Sequence, residues 1–190
     1  MNPPVLTMAR SKPSRRSRRT SSTGVSPVPR GYPTIIPYLA VQGGVAALEF
    51  YKKAFGAREL VRNTTPDGRL IHGRIKIGQS VVMLSDVFPG ADVAAPASVG
   101  TTTVTLHLYS KDVDRVWDRA VGAGAKVTMP LENQYWGERY GHLQDPFGHH
   151  WSLSMRVRMP RAERARRQAE AEAAFARGEH PGREPPYSDA

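Results

Sequence analysis

Hydrophobic positions in the first part of the chain follow the periods of a strand and a helix in turn. Residues 34–41 form a β-rich run, and the stretch after it places four apolar side chains on one helical face before Gly56: Val45, Leu48, Tyr51 and Phe55. Short apolar runs separated by turn residues then predict strands at residues 58–63, 70–77 and 80–86. The pattern therefore predicts the order strand, helix, strand, strand, strand.

The same order returns after a Gly-, Ala- and Pro-rich loop at residues 89–100. Residues 102–109 alternate like a strand, and Asp112 is suited to cap a helix that ends near Gly122. Three more strands are predicted, at residues 126–130, 137–144 and 150–156. At a shift of 68 residues the letters also correspond, as in Val45 with Val113 and Gly56 with Gly124. We therefore predict an α+β domain at residues 32–155, made of tandem βαβββ modules at about 32–88 and 101–155.

The two ends of the chain differ from this domain in composition. Residues 1–31 are rich in Pro, Ser and Arg, with seven basic and no acidic residues, and are expected to be disordered. Residues 156–190 combine Ala with opposite charges at helical spacing, which predicts an exposed helix from about Arg161 to Gly178 and a loose tail. The net charge of +10 therefore lies mostly outside the domain. Non-specific nucleic-acid contact by the basic tail is the alternative to a merely solvated segment.

The sequence lacks cysteines and long apolar segments, which limits the chemistry and the cellular compartment that we expect. The chain contains no cysteine, which excludes disulfides, thiolate metal sites and a cysteine nucleophile. It also contains no apolar run of membrane-spanning length and no apolar stretch like that of a secretory signal. We therefore expect a cytoplasmic protein without a membrane partner.

Three segments carry a family resemblance: LEFYKKAFGAREL, IHGRIKIGQSVVMLSD and YWGERYGHLQDPFGHHWSLS. With the duplicated pattern they resemble the vicinal oxygen chelate superfamily of glyoxalases, bleomycin-resistance proteins and dioxygenases, and its PhnB-like branch in particular. The resemblance implies that each module curls its sheet into a half-barrel and that the two modules form a U-shaped cleft for the ligand. It also implies a homodimer.

Metal-dependent members of this superfamily take four ligands from the first and last strands of their modules. The resemblance places Ile36, Met83, Thr105 and Ser152 at these positions. None of these side chains offers the imidazole or carboxylate that a divalent ion prefers, so no cofactor is expected there. The alternative is a divalent metal at a displaced site built from shifted histidines: His72, His107 and His150.

The expected cleft is rich in aromatic side chains. Alternation along residues 102–109 turns Thr103, Thr105, His107 and Tyr109 toward it. The predicted ligand-binding set combines aromatic, thioether and polar groups: Tyr38, Met83, His107, Tyr109, Trp136 and Arg139. Arg139 is suited to pair with an anionic ligand, or structurally with Glu132 or Asp145. Asp145, in the turn Asp-Pro-Phe-Gly, is expected only to accept backbone hydrogen bonds.

These observations predict a small-molecule-binding protein with an aromatic cleft and no metal at the usual positions. Sequestration of the kind found in bleomycin resistance is one form of this function. The alternative is a metal-dependent lyase, isomerase or dioxygenase of the same superfamily that uses the shifted histidines. Both alternatives follow from the same resemblance.

Overall fold

The structure of the protein is a computed structural model that describes residues 26–179. The first module contains β1 (Tyr38–Val41), α1 (Gly44–Phe55), β2 (Arg58–Thr64), β3 (Leu70–Ile77) and β4 (Ser80–Asp86). A short helix, α2 (Pro96–Val99), lies in the connection. The second module contains β5 (Thr105–Tyr109), α3 (Val113–Gly122), β6 (Lys126–Asn133), β7 (Glu138–Gln144) and β8 (His150–Arg156), and α4 (Arg161–Ala176) follows it.

Each module forms an open, four-stranded mixed sheet. The strand order is β1-β4-β3-β2 in the first sheet and β5-β8-β7-β6 in the second sheet. In both sheets the first strand of the module runs parallel to the last, and the remaining neighbours are antiparallel. The predicted α+β class and the tandem βαβββ modules are thereby confirmed.

Helices cover one face of each sheet, and a glycine at the same place in each module lets the helix approach. Gly73 of β3 lies opposite Leu84, and Gly141 of β7 lies opposite Leu153. A Cβ atom at Gly141 would stand 2.7 Å from the ring of Trp117 in α3, and one at Gly73 would stand 3.2 Å from Leu48 in α1. The opposite face of each sheet, called the open face below, carries no helix of its own module.

Helix α1 also packs against the second module. The rings of Tyr51 and Phe55 lie 5.6 and 4.4 Å from the ring of Trp151 in β8. The buried carboxylate of Asp145 accepts hydrogen bonds from the Tyr51 hydroxyl, the Trp151 indole and the backbone N–H groups of Phe147 and His149. The structural role expected for Asp145 is confirmed, and the residue also links the two modules.

Several element boundaries differ from the sequence-based prediction. The strand predicted from residue 34 begins only at Tyr38, after Pro37, which has no N–H to donate to a neighbouring strand. The strand predicted from residue 102 begins at Thr105. Strand β6 continues through Pro130 to Asn133, because it is an edge strand and its register shifts accommodate the proline.

The C-terminal helix begins at Arg161, as predicted, and is not wholly exposed. Ala171 and Ala174 are buried, and the guanidinium of Arg167 donates to the carbonyl of Asn133 at the end of β6. The expected disorder of the N-terminal tail and the last residues of the chain fall outside the described residues. Within residues 26–179, no helix has the length and apolar character needed to cross a membrane.

Candidate functional site

The open face of the second sheet carries rings on its flanking strands and serines on the strand between them. In register, His107 of β5 lies beside Ser152 of β8, which lies beside His142 of β7. The next row places Tyr109, Ser154 and Tyr140 side by side. Ser152 and Ser154 are buried, whereas Tyr109 is 61% exposed. The small side chains of β8 therefore lie buried between the larger side chains of β5 and β7.

A carboxylate holds this arrangement together. Glu138, the first residue of β7, accepts hydrogen bonds from the Tyr109 hydroxyl at 2.9 Å, the Trp136 indole at 3.2 Å and the Ser154 hydroxyl at 2.8 Å. The rings of Trp136 and Tyr140 meet edge to face with their centroids 5.3 Å apart. We call this group the Glu138 cluster, and it comprises His107, Tyr109, Trp136, Glu138, Tyr140 and Ser154.

The surroundings of Glu138 favour its ionised form. Burial raises the pKa of Glu138, but the three donors and the nearby His107 outweigh this effect and hold the pKa below its usual value. The hydrogen bond to Glu138 in turn raises the pKa of Tyr109. At neutral pH Glu138 is therefore a carboxylate anion, and the Tyr109 hydroxyl that donates to it keeps its proton.

The histidines of this face are oriented by neighbouring hydroxyl groups. Nδ1 of His107 lies 2.7 Å from Oγ of Ser152, and Nε2 of His142 lies 2.6 Å from the hydroxyl of Tyr140. The His107 ring is also close to Tyr109 and Tyr140, with centroids 4.5 and 5.9 Å apart. These contacts fix the orientation of the His107 ring, which remains exposed.

The structure brings together three of the six predicted ligand-binding residues: His107, Tyr109 and Trp136. Tyr38 and Met83 lie side by side in the first sheet, where the Tyr38 hydroxyl is 3.2 Å from Nδ1 of His72. Arg139 points to the helix-covered face and forms an ion pair of 2.6 Å with Asp114 of α3. Among the described residues Arg139 thus forms no ion pair with Glu132 or Asp145, and it lies on the face opposite Tyr109.

Sequence reasoning did not identify Glu138, although a signal for it exists. In β7, polar and aromatic residues at 138, 140 and 142 alternate with Arg139, Gly141 and Leu143. Applied to this strand, the alternation that identified His107 and Tyr109 places Glu138, Tyr140 and His142 on one face.

The four usual metal positions of the superfamily carry unsuitable side chains here. Ile36 precedes β1, Met83 pairs with Tyr38, Thr105 pairs with His150, and the Ser152 hydroxyl is hydrogen-bonded to His107. Across residues 26–179 no three His, Cys, Asp or Glu side chains are grouped so that they could hold a metal ion. His72, of the first sheet, is accordingly not gathered with His107 and His150 of the second. The donor set does not fit the divalent metal of the family, and we derive no chemistry from one.

A separate cavity of 470 Å³ lies between β1 and β5. Its walls include Tyr38 and Leu39 on one side and Val104 and Leu106 on the other. The buried His149 also lines it, and Nε2 of its ring lies 3.1 Å from the carbonyl oxygen of Ala40. This cavity contains no member of the Glu138 cluster.

Comparison with known proteins places this fold in a family. The family model described as the Glyoxalase/Bleomycin resistance protein/Dioxygenase superfamily matches residues 37–153. An uncharacterized protein of Mycobacterium tuberculosis is 49% identical over 129 residues, covering 66% of this chain and 76% of the relative.

Two solved structures extend the comparison. TioX from Micromonospora sp. ML1 is 27% identical, with a TM-score of 0.51 over 66% of this chain and 98% of TioX. A PhnB protein from Bacillus cereus, 19% identical, shares the fold with a TM-score of 0.50 over 64% of this chain and 98% of its own. The resemblance seen in the motifs is confirmed: the chain belongs to the Glyoxalase/Bleomycin resistance protein/Dioxygenase superfamily.

Proposed function

We propose that the protein binds a small organic molecule on the open face of the second sheet, through the Glu138 cluster, without a metal at the usual positions of the family. The observation that carries this proposal is an exposed aromatic surface whose rings are held in place. Tyr109 is 61% exposed and Trp136 is 38% exposed, yet each donates a hydrogen bond to the same carboxylate.

Preorganisation is what separates this surface from ordinary exposed side chains. A free tyrosine or tryptophan loses rotamer freedom when a ligand binds, which costs about 0.5 to 1.5 kcal/mol per side chain. Glu138 has already restricted Tyr109 and Trp136 through its two carboxylate oxygens. Tyr109 also belongs to strand β5, which positions a binding group more precisely than a loop does, and Trp136 lies in the turn directly before β7. Apolar rings with a few fixed polar groups are typical of small-molecule sites.

Ligand-observed NMR with a library of aromatic fragments tests this function on the full chain. Trp136→Ala or Tyr109→Ala should weaken fragments that bind the wild type by about 1 to 3 kcal/mol, or about five- to 150-fold in Kd. The control is Ile71→Ala, which truncates a similarly exposed side chain in the first sheet and should leave binding unchanged. Fragments that bind the wild type and all three variants equally would refute the proposal.

A further inference from the structure

Neutral groups alone donate hydrogen bonds to Glu138, while His107 lies near enough to act on its charge. Its three hydrogen-bond donors are a phenol, an indole and an alcohol. No ion pair within 4.0 Å reaches this carboxylate from any described residue. Arg156 lies opposite Glu138 in register, but it is exposed and does not pair with it. A full negative charge thus remains on a partly buried group at the edge of a ring cluster.

The rings around this charge favour the same kind of ligand group. The face of an aromatic ring carries negative electrostatic potential, so a cation near it is attracted, by about 0.5 to 2 kcal/mol. Trp136 and Tyr140 meet edge to face, which leaves the face of one ring directed away from the other. Tyr109 belongs to the same cluster and is more exposed than Trp136. An anionic group would be repelled both by Glu138 and by the ring faces.

We infer that the ligand of this site carries a positively charged organic group, such as a substituted ammonium or amidinium, seated against Glu138 and the rings of Tyr109 and Trp136. This inference rests on the proposed function and narrows it to one ligand class. The role of Glu138 is then double, because it fixes the rings that form the site and supplies the charge that selects the ligand. A purely structural carboxylate would fix the rings without selecting for charge.

Three probes of similar shape and different charge separate these roles: N-methylquinolinium, quinoline and 1-naphthoate. Their dissociation constants are measured at neutral pH by ligand-observed NMR with the full chain. We expect N-methylquinolinium to bind about tenfold more tightly than quinoline, with 1-naphthoate the weakest. Raising the salt concentration should weaken only the cationic probe toward the affinity of quinoline, because the attraction is electrostatic.

The decisive variant is Glu138→Gln, which keeps the size of the side chain and one acceptor oxygen but removes the charge. It should reduce the preference for N-methylquinolinium over quinoline to less than about twofold. The ratio of the two dissociation constants is the readout, because the amide nitrogen cannot accept from the ring donor at its position and the affinity for both probes should fall together. Tyr109→Phe is the matched control, because it deletes one hydrogen bond to Glu138 and keeps both the ring and the carboxylate. The cation preference should persist in this variant. If Glu138→Gln does not fold, the salt dependence with the wild type still decides.

The possible results distinguish the inference from the function on which it rests. Quinoline binding that depends on Tyr109 and Trp136, with no preference for the cation, would overturn the inference and leave the proposed function standing. A cation preference that survives both Glu138→Gln and high salt would also overturn it. If none of the three probes binds at about 10 mM, the binding free energy is weaker than about 3 kcal/mol. This result would refute both the inference and the proposed function.

Discussion

Replacing Asp145 with alanine should destabilise the fold more than any change on the open faces. The carboxylate is 4% exposed and accepts four hydrogen bonds, two from backbone N–H groups and two from Tyr51 and Trp151. At about 1.5 kcal/mol for each bond to a charged group, their loss costs about 6 kcal/mol. Removing the buried charge relieves its desolvation by about 2 kcal/mol, which leaves a destabilisation of about 4 kcal/mol.

The geometry of the two oxygens predicts a smaller effect for Asp145→Asn. Oδ1 accepts both backbone N–H groups, and Oδ2 accepts the hydroxyl of Tyr51 and the indole of Trp151. Asparagine can keep the two backbone hydrogen bonds but turns an N–H₂ group toward Trp151. Asp145→Asn should therefore destabilise the fold by about half as much as Asp145→Ala. Urea unfolding followed by circular dichroism measures both variants. Asp118→Ala, at an exposed position of α3, is the control and should change stability by less than about 0.5 kcal/mol. A loss below about 1 kcal/mol for Asp145→Ala would refute the hydrogen-bond reasoning.

Three further outcomes follow from the packing. Gly141→Ala should destabilise the fold by about 1 to 3 kcal/mol, because the new Cβ would stand 2.7 Å from Trp117. Gly122→Ala is the control and should not destabilise the fold, because the space around Gly122 is open; calorimetry compares the two variants. Burial and Asp145 raise the pKa of Tyr51, so the folded state keeps a proton that the unfolded state loses above about pH 10. The free energy of unfolding should therefore fall as the pH rises above about 10, and Tyr51→Phe should flatten that decline. The unpaired sheet edges favour a homodimer, and light scattering showing only monomer at micromolar concentration would contradict it.

The order of the strands and helices could be predicted because burial of one face imposes the spacing of hydrophobic residues in each element. Strands β3, β4 and β8 begin and end at the predicted residues, since one face of each must meet a helix. Helix α2, of only four residues, is too short to show a period and was missed. The start of β1 and the end of β6 depend on which backbone groups face a neighbouring strand at Pro37 and Pro130. Local propensity contains no information about this.

The site was predicted only as far as alternation in one strand could reach. His107 and Tyr109 follow from the pattern of β5, and the structure brings Trp136 to them through its bond to Glu138. Arg139 was included in the ligand-binding set, although alternation along β7 places it on the face of Gly141 and Leu143. Its partner, Asp114 of α3, is a tertiary neighbour that only the fold brings to it. The role of Glu138 depends on donors from β5, β8 and the turn before β7, which only the folded sheet brings together.

The two modules share the packing of their helix-covered faces and differ on their open faces. Gly73 opposite Leu84 and Gly141 opposite Leu153 repeat one packing solution. The first residue of β7 is Glu138, whereas the first residue of β3 is Leu70, fully buried at the start of α1. The first module thus lacks the carboxylate around which the rings gather. Core positions repeat because each sheet must bury one face, but the open faces are free to diverge. A ligand that reached both modules would therefore meet the Glu138 cluster at one end only.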